Sequence, residues 1–201
     1  MKFVLATTNP GKIREMREIF TAPGIELLTR QELGIDLNVD ETGATFLENA
    51  LLKAAAICNA AGLAAIADDS GLMVGALGGA PGVYSSSYGG ESLDDGERCL
   101  YLLDKMKGLE QRDAKFVCTI VCMFPDGSTL AARGECLGEI AYAPRGAGGF
   151  GYDPIFLVKG RPATMAELPP DEKNAISHRG MALREFARLI APTFAAAGDL
   201  R

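Results

Sequence analysis

Basic residues are too few here to suggest a polyanion-binding surface: 20 Lys and Arg stand against 26 Asp and Glu, for a net charge of −6. A broad nucleic-acid footprint requires a basic stripe, so no polymeric nucleic acid is expected as a partner, although a few local cations suffice for a small anionic ligand. Histidine occurs once, as His178. The five cysteines (Cys58, Cys99, Cys118, Cys122 and Cys136) form an odd set with no Cys-x-x-Cys pair. That argues against a disulfide framework and a structural zinc site, and buried thiols are the expectation. No apolar run approaches the roughly 18 residues of a membrane-spanning helix. The apolar start, Phe3 to Ala6, is also too short for a secretory signal, so the expected location is cytoplasmic, with no membrane partner.

What remains is an ordinary globular composition, 48% hydrophobic and 23% charged over 201 residues. One domain spanning residues 1–201 is expected, large enough to bury a substantial core. Lys2 to Ala6 reads as a buried strand that runs through Thr7, Thr8, Asn9, Pro10, Gly11 and Lys12 into an amphipathic helix with Ile13, Met16, Ile19 and Phe20 on one face. Asn9 is suited to the N-cap and Pro10 to the first helical position. A strand, a polar turn and a helix N-terminus present free N–H groups and a positive dipole end, to which Lys12 adds a full charge: an anion site or, read plainly, an ordinary turn with a lysine. It is not a Walker A loop, since Ala6 and Ile13 stand where glycine and Ser or Thr belong.

A second strand is expected at Ile25 to Thr29, and a strong helix at the Thr45/Glu48 capping box, ending at Gly62. Asp40 and Glu41 precede that helix, where acids suit its dipole and also suit a metal. The next apolar run, Leu63 to Ala67, is expected to end at Asp68-Asp69-Ser70-Gly71, which is turn chemistry or else a set of oxygen ligands at a sheet edge. A long glycine- and serine-rich loop follows, from Leu77 to Gly90, and then a helix for which Ser92 is the candidate cap. Ala114 to Phe124 and Ser128 to Arg133 form an expected hairpin around Pro125-Asp126-Gly127, with β structure continuing to Ala143. Gly149, Phe150, Gly151, Tyr152 and Asp153 form a glycine-rich aromatic stretch before a short strand at Ile155 to Val158. Lys173, His178 and Arg179 then cluster before a final amphipathic helix.

Three of these features suit one ligand. A helix N-terminus with Lys12 suits phosphates, carboxylates suit a hard divalent cation, and Phe150 with His178 and Arg179 suits a planar base. The common solution is a nucleoside triphosphate with Mg²⁺, and hydrolysis needs a carboxylate base, for which Asp68 and Asp69 compete. Successive strand side chains point to opposite faces, so one of the two at most faces the site squarely. Asp69-Ser70-Gly71 also resembles an aspartic-protease core, but the helix-rich pattern is foreign to that fold.

In their order, six blocks resemble the inosine triphosphate pyrophosphatase family: Ala6-Thr7-Thr8-Asn9-Pro10-Gly11-Lys12; Glu41-Thr42-Gly43 with Phe46 to Ala50; Ala67-Asp68-Asp69-Ser70-Gly71-Leu72; Leu77 to Ser85; Gly149 to Pro154; and Glu172 to Arg179. The resemblance implies an elongated α/β protein with a mixed central sheet flanked by helices, two lobes with an active-site cleft between them, and a homodimer. It implies cleavage of ITP, dITP and XTP to a nucleoside monophosphate and pyrophosphate, with Mg²⁺ as cofactor. Thr7, Thr8, Asn9, Pro10, Gly11 and Lys12 would hold the triphosphate. Asp69 would be the base and a metal ligand, with Asp40 the second ligand, although adjacent Glu41 competes for that role. Ser70 would touch substrate, and Phe150, Gly151, Tyr152, Asp153, Lys173, His178 and Arg179 would enclose base and sugar. Donors on His178 and Arg179 would favour a 6-oxo purine over adenine's 6-amino group, because a mismatched buried polar group costs about 1–3 kcal/mol.

Overall fold

The computed structural model describes residues 1–21 and 24–198. Its elements are β1 (Lys2–Leu5), α1 (Pro10–Ile19), β2 (Glu26–Thr29), α2 (Phe46–Ala61), β3 (Ala64–Val74), α3 (Asp95–Lys105), β4 (Asp113–Met123), β5 (Thr129–Ile140), β6 (Phe156–Val158), α4 (Pro170–Ile176) and α5 (His178–Gly198), with short 3₁₀ turns between some of them. The strands form one six-stranded sheet in the order β2-β1-β3-β4-β5-β6. β1 pairs in parallel with both β2 and β3, whereas β5 and β6 are antiparallel, so the sheet is mixed as expected. No helix among the described residues is long and apolar enough to cross a membrane.

The chain separates into two compact units. The first comprises Met1–Asp69, Cys118–Gly134 and Arg179–Arg201, and the second Ser70–Val117 and Glu135–His178. In the first unit, Phe3, Leu5, Ile66 and Ile120 pack against Met16 of α1, Phe20 just after it, and Leu183 and Phe186 of α5. A second cluster there joins Val4, Ala65 and Ala67 to Ala50, Ala54 and Ile57 of α2. Period-2 strands sandwiched between period-3.6 helical faces produce both clusters. The second unit has its own core, in which Leu72, Val74, Phe116 and Phe156 meet Cys99 and Leu102 of α3 and Met106 just after it. All five cysteines are buried free thiols.

Local signals place the helices well. Asn9 caps α1 by accepting from the Lys12 N–H at 3.1 Å, with Pro10 in the first turn. Thr45 and Glu48 close a capping box on α2. Two expectations are corrected. The cap of α3 is Asp94 rather than Ser92, and its box is completed by Glu97. More consequentially, β3 does not end at Ala67: it runs through Asp68, Asp69 and Ser70 to Val74. A carboxylate is tolerated inside a buried strand only when a cation meets it there, and β3 meets several.

Candidate active site

β1 leads through α1 to β2 on one side, while the chain reaches β3, on the other side of β1, through α2. The strand order therefore reverses between the carboxyl ends of β1 and β3, the kind of crevice where open parallel sheets take ligands. The Thr7–Lys12 turn follows β1 at this point, and Asp68 and Asp69 follow the β3 residues paired with it.

Both acids are buried, at 1% and 6% exposure, with different partners. Asp68 Oδ2 lies 2.9 Å from Lys12 Nζ and 3.2 Å from Arg179 Nη2. Burial alone would raise the Asp68 pKa, but Lys12, Arg179 and Lys53 together outweigh it and hold the carboxyl well below the usual range. Asp69 Oδ1 lies 2.9 Å from Lys53 Nζ, and its Oδ2 lies 3.4 Å from Asn49 Nδ2. Here burial wins: against the pull of Lys53 and Lys12, and with Glu41 adding to the rise, the Asp69 pKa is pushed up to about 6. One adjacent carboxylate is thus a fixed anion and the other a group able to exchange a proton near neutrality, the division that acid–base chemistry needs.

Lys53 also reaches Glu41 Oε2 at 2.7 Å. Its pKa is raised because Asp69, Asp68 and Glu41 more than offset its own burial. Two carboxylates thus converge on a single positive centre, the hard-oxygen donor chemistry that Mg²⁺ takes. Glu41, and not its exposed neighbour Asp40, makes this contact. Among the described residues no set of three or more His, Cys, Asp or Glu side chains is arranged for a metal. Water and phosphate oxygens would have to complete the shell, as is usual for Mg²⁺.

Arg179, expected at a base edge, is engaged with two buried carboxylates. It is 2% exposed, its Nε and Nη2 donate to Asp68 and its Nη1 donates to Glu15, so it serves as a buried cation under the acid strand. Burial would lower its pKa, but Asp68 and Glu15 raise it further above the usual value.

In the second unit, Asp153 Oδ2 accepts from the Phe150 N–H at 2.9 Å and from Lys173 Nζ at 2.7 Å. That ammonium also sits 4.8 Å over the Phe150 ring. Gly151 N–H donates to Asp95 at 2.7 Å, and the buried Tyr152 hydroxyl donates to the Ser85 carbonyl at 2.9 Å. His178 is buried and stacks on Phe116, with ring centroids 4.7 Å apart and an interplanar angle of 12°. Ser70 is half-buried. The aromatic stretch is thus a pinned loop rather than a loose connector. Gly149 carries part of that geometry: its φ is +74°, and a Cβ there would lie 2.0 Å from Asp153 Oδ2. Gly149→Ala is expected to cost about 1–3 kcal/mol, read as a lower midpoint in urea.

Lys53, Asn49, Glu15 and Ser85 did not stand out as site residues in the sequence. Asn49 and Lys53 carried one signal: polar side chains bordering the apolar stripe Phe46, Ala50, Ala54 and Ile57, a place where buried polar groups need partners. A cavity of about 660 Å³ opens beside Thr8, Pro10, Arg14, Arg17 and Thr29, but none of the acids of β3, nor Lys12 or Lys53, lines it.

The Ham1 family matches residues 3–189. A dITP/XTP pyrophosphatase of Thermus thermophilus is 54% identical over 186 residues, covering 92% of this chain and 89% of the relative. A dITP/XTP pyrophosphatase of Bacillus subtilis is 47% identical over 189 residues, covering 93% and 96%. Among solved structures, a HAM1 protein from Coxiella burnetii superposes with a TM-score of 0.88 at 42% identity, covering 96% of this chain and 99% of that one. These likenesses agree with the resemblance read from the six motif blocks. This chain belongs to the Ham1 family.

Proposed function

We propose that this protein hydrolyses noncanonical purine nucleoside triphosphates, dITP, ITP and XTP, to the nucleoside monophosphate and pyrophosphate. The relatives named dITP/XTP pyrophosphatase support the substrate class and the reaction. The observation that carries the chemistry is Asp69, a buried carboxylate with its pKa raised to about 6 at the switch point of the sheet. In this reading a water oxygen forms a bond to the α-phosphorus, the bond from that phosphorus to the bridging oxygen breaks, and pyrophosphate leaves. Asp69 accepts the water's proton.

Lys12, the α1 N-terminus and Lys53 neutralise phosphate charge. Glu41 and Asp69 would hold Mg²⁺, with Glu41 preferred to Asp40 because Glu41 already shares a cation with Asp69. When bound, the ion supplies charge neutralisation at the phosphates and lowers the pKa of a coordinated water. Phe150, with Gly151, Tyr152, Asp153, Lys173 and His178 around it, takes base and sugar, and Ser70 adds a hydroxyl beside the base Asp69. Arg179 acts from behind, by fixing Asp68 and through it Lys12. A homodimer with residues 1–201 as one domain completes the proposal, and sedimentation would read the assembly state.

The decisive experiment is product analysis with Mg²⁺. ITP is expected to give IMP and pyrophosphate much faster than ATP gives AMP. Release of orthophosphate and IDP would overturn the cleavage position.

A further inference from the structure

Asn49 is 2% exposed on α2, four residues before Lys53, so the two side chains share one helix face. Its Oδ1 accepts from the Gly43 N–H at 2.8 Å, and because a backbone N–H can be met only by an acceptor, this bond sets the orientation of the amide. The Nδ2 then faces Asp69 Oδ2 at 3.4 Å, while Lys53 holds Oδ1 at 2.9 Å. Each oxygen of Asp69 is therefore met by a donor from the same helix face, which fixes the plane of the carboxylate. The same amide pins the loop that carries Glu41. Gly43 lies so close to α2 that a Cβ there would be 2.7 Å from Asn49 Oδ1 and 2.6 Å from Glu48 Cβ.

We infer that Asn49 is a positioning residue for the reaction: its amide holds Asp69 in the orientation in which it takes the proton, and holds the Glu41 loop in register with it. This rests on Asp69 being the base. A base must lie within hydrogen-bond reach of its proton with little angular freedom, and small displacements lower turnover steeply.

Two substitutions separate the two bonds. Asn49→Ala removes both without adding charge; Asn49→Asp keeps the acceptor for Gly43 N–H and loses the donor to Asp69. Both are expected to lower kcat for ITP by about ten- to a hundredfold, with KM within about twofold, as measured on folded protein verified by circular dichroism. In an Asp69→Asn background Asn49→Asp, which keeps the Gly43 bond, should not lower the residual rate further, because the bond it loses then has nothing left to position. Normal kcat in Asn49→Asp would overturn the inference, since only the loop bond would then matter, and so would an undiminished loss in the Asp69→Asn background. Near-normal turnover of Asp69→Asn alone would instead remove the base assignment itself, and this inference with it.

Discussion

Asp69→Asn is expected to lower kcat for ITP by about two to four orders of magnitude, the range that a general base supplies, while the melting temperature stays within a few degrees of wild type. The two halves of this expectation have one cause. Asp69 is buried, and burial is the largest influence on its pKa, so its ionised form is an expense to the fold rather than a support. A neutral amide of the same shape removes that expense and leaves Lys53 its second partner, Glu41. The fold is expected to tolerate the change, whereas in the proposed role of Asp69 the reaction is not, because an amide cannot accept the water's proton. Steady-state kinetics with calorimetry on the same preparation checks both halves. Near-normal turnover would remove Asp69 from its role.

Asp68→Asn should do the opposite. The Asp68 side chain is fully buried against Lys12 and Arg179, and its loss leaves a buried guanidinium and a largely buried ammonium short of a counter-charge. Breaking a buried pair from one side costs about 3–5 kcal/mol, a fall of roughly 10 °C in melting temperature for a chain of this length. The dependence on pH should separate the neighbours as well. The folded pKa of Asp68 is depressed, so its stabilisation is present above the unfolded value of about 3.9 and is lost as pH falls below that value. The folded pKa of Asp69 is raised, so its contribution is present below about 3.9 and is lost as pH rises through about 6 in the metal-free protein. Urea midpoints of wild type and the two variants across pH 3 to 8 would show these opposite slopes. Equal stability of Asp68→Asn and wild type at neutral pH would refute the anchoring role.

Much of this was legible from residue order. The α1 cap at Asn9 and Pro10, the α2 box of Thr45 and Glu48, and the turn at Pro125 to Gly127 are interactions between residues a few positions apart, and the chain carries them wherever it folds. The acid pair was legible as a site but misleading as structure. Two adjacent aspartates read as the end of a strand because burying them without partners is prohibitive, and the partners lie far off in the sequence. Arg179 was legible as a cation near a helix start. That it would turn to Asp68 and Glu15, 111 and 164 positions away, was not.

By itself, the sequence determined the helices, the strand candidates, the absence of disulfides and, through six ordered blocks, the family. Those depend on local backbone chemistry or on residues that must be present whatever their neighbours. Only the tertiary structure decided that β3 runs on through Asp68 and Asp69, that the first is anchored by Lys12 and Arg179 while burial raises the pKa of the second, and that Glu41 rather than Asp40 shares Lys53 with Asp69. The physical reason is the same in each case. The state of a buried charge is set by the charges and desolvation around it, and those are assembled from α1, α2 and α5 only when the chain closes on itself.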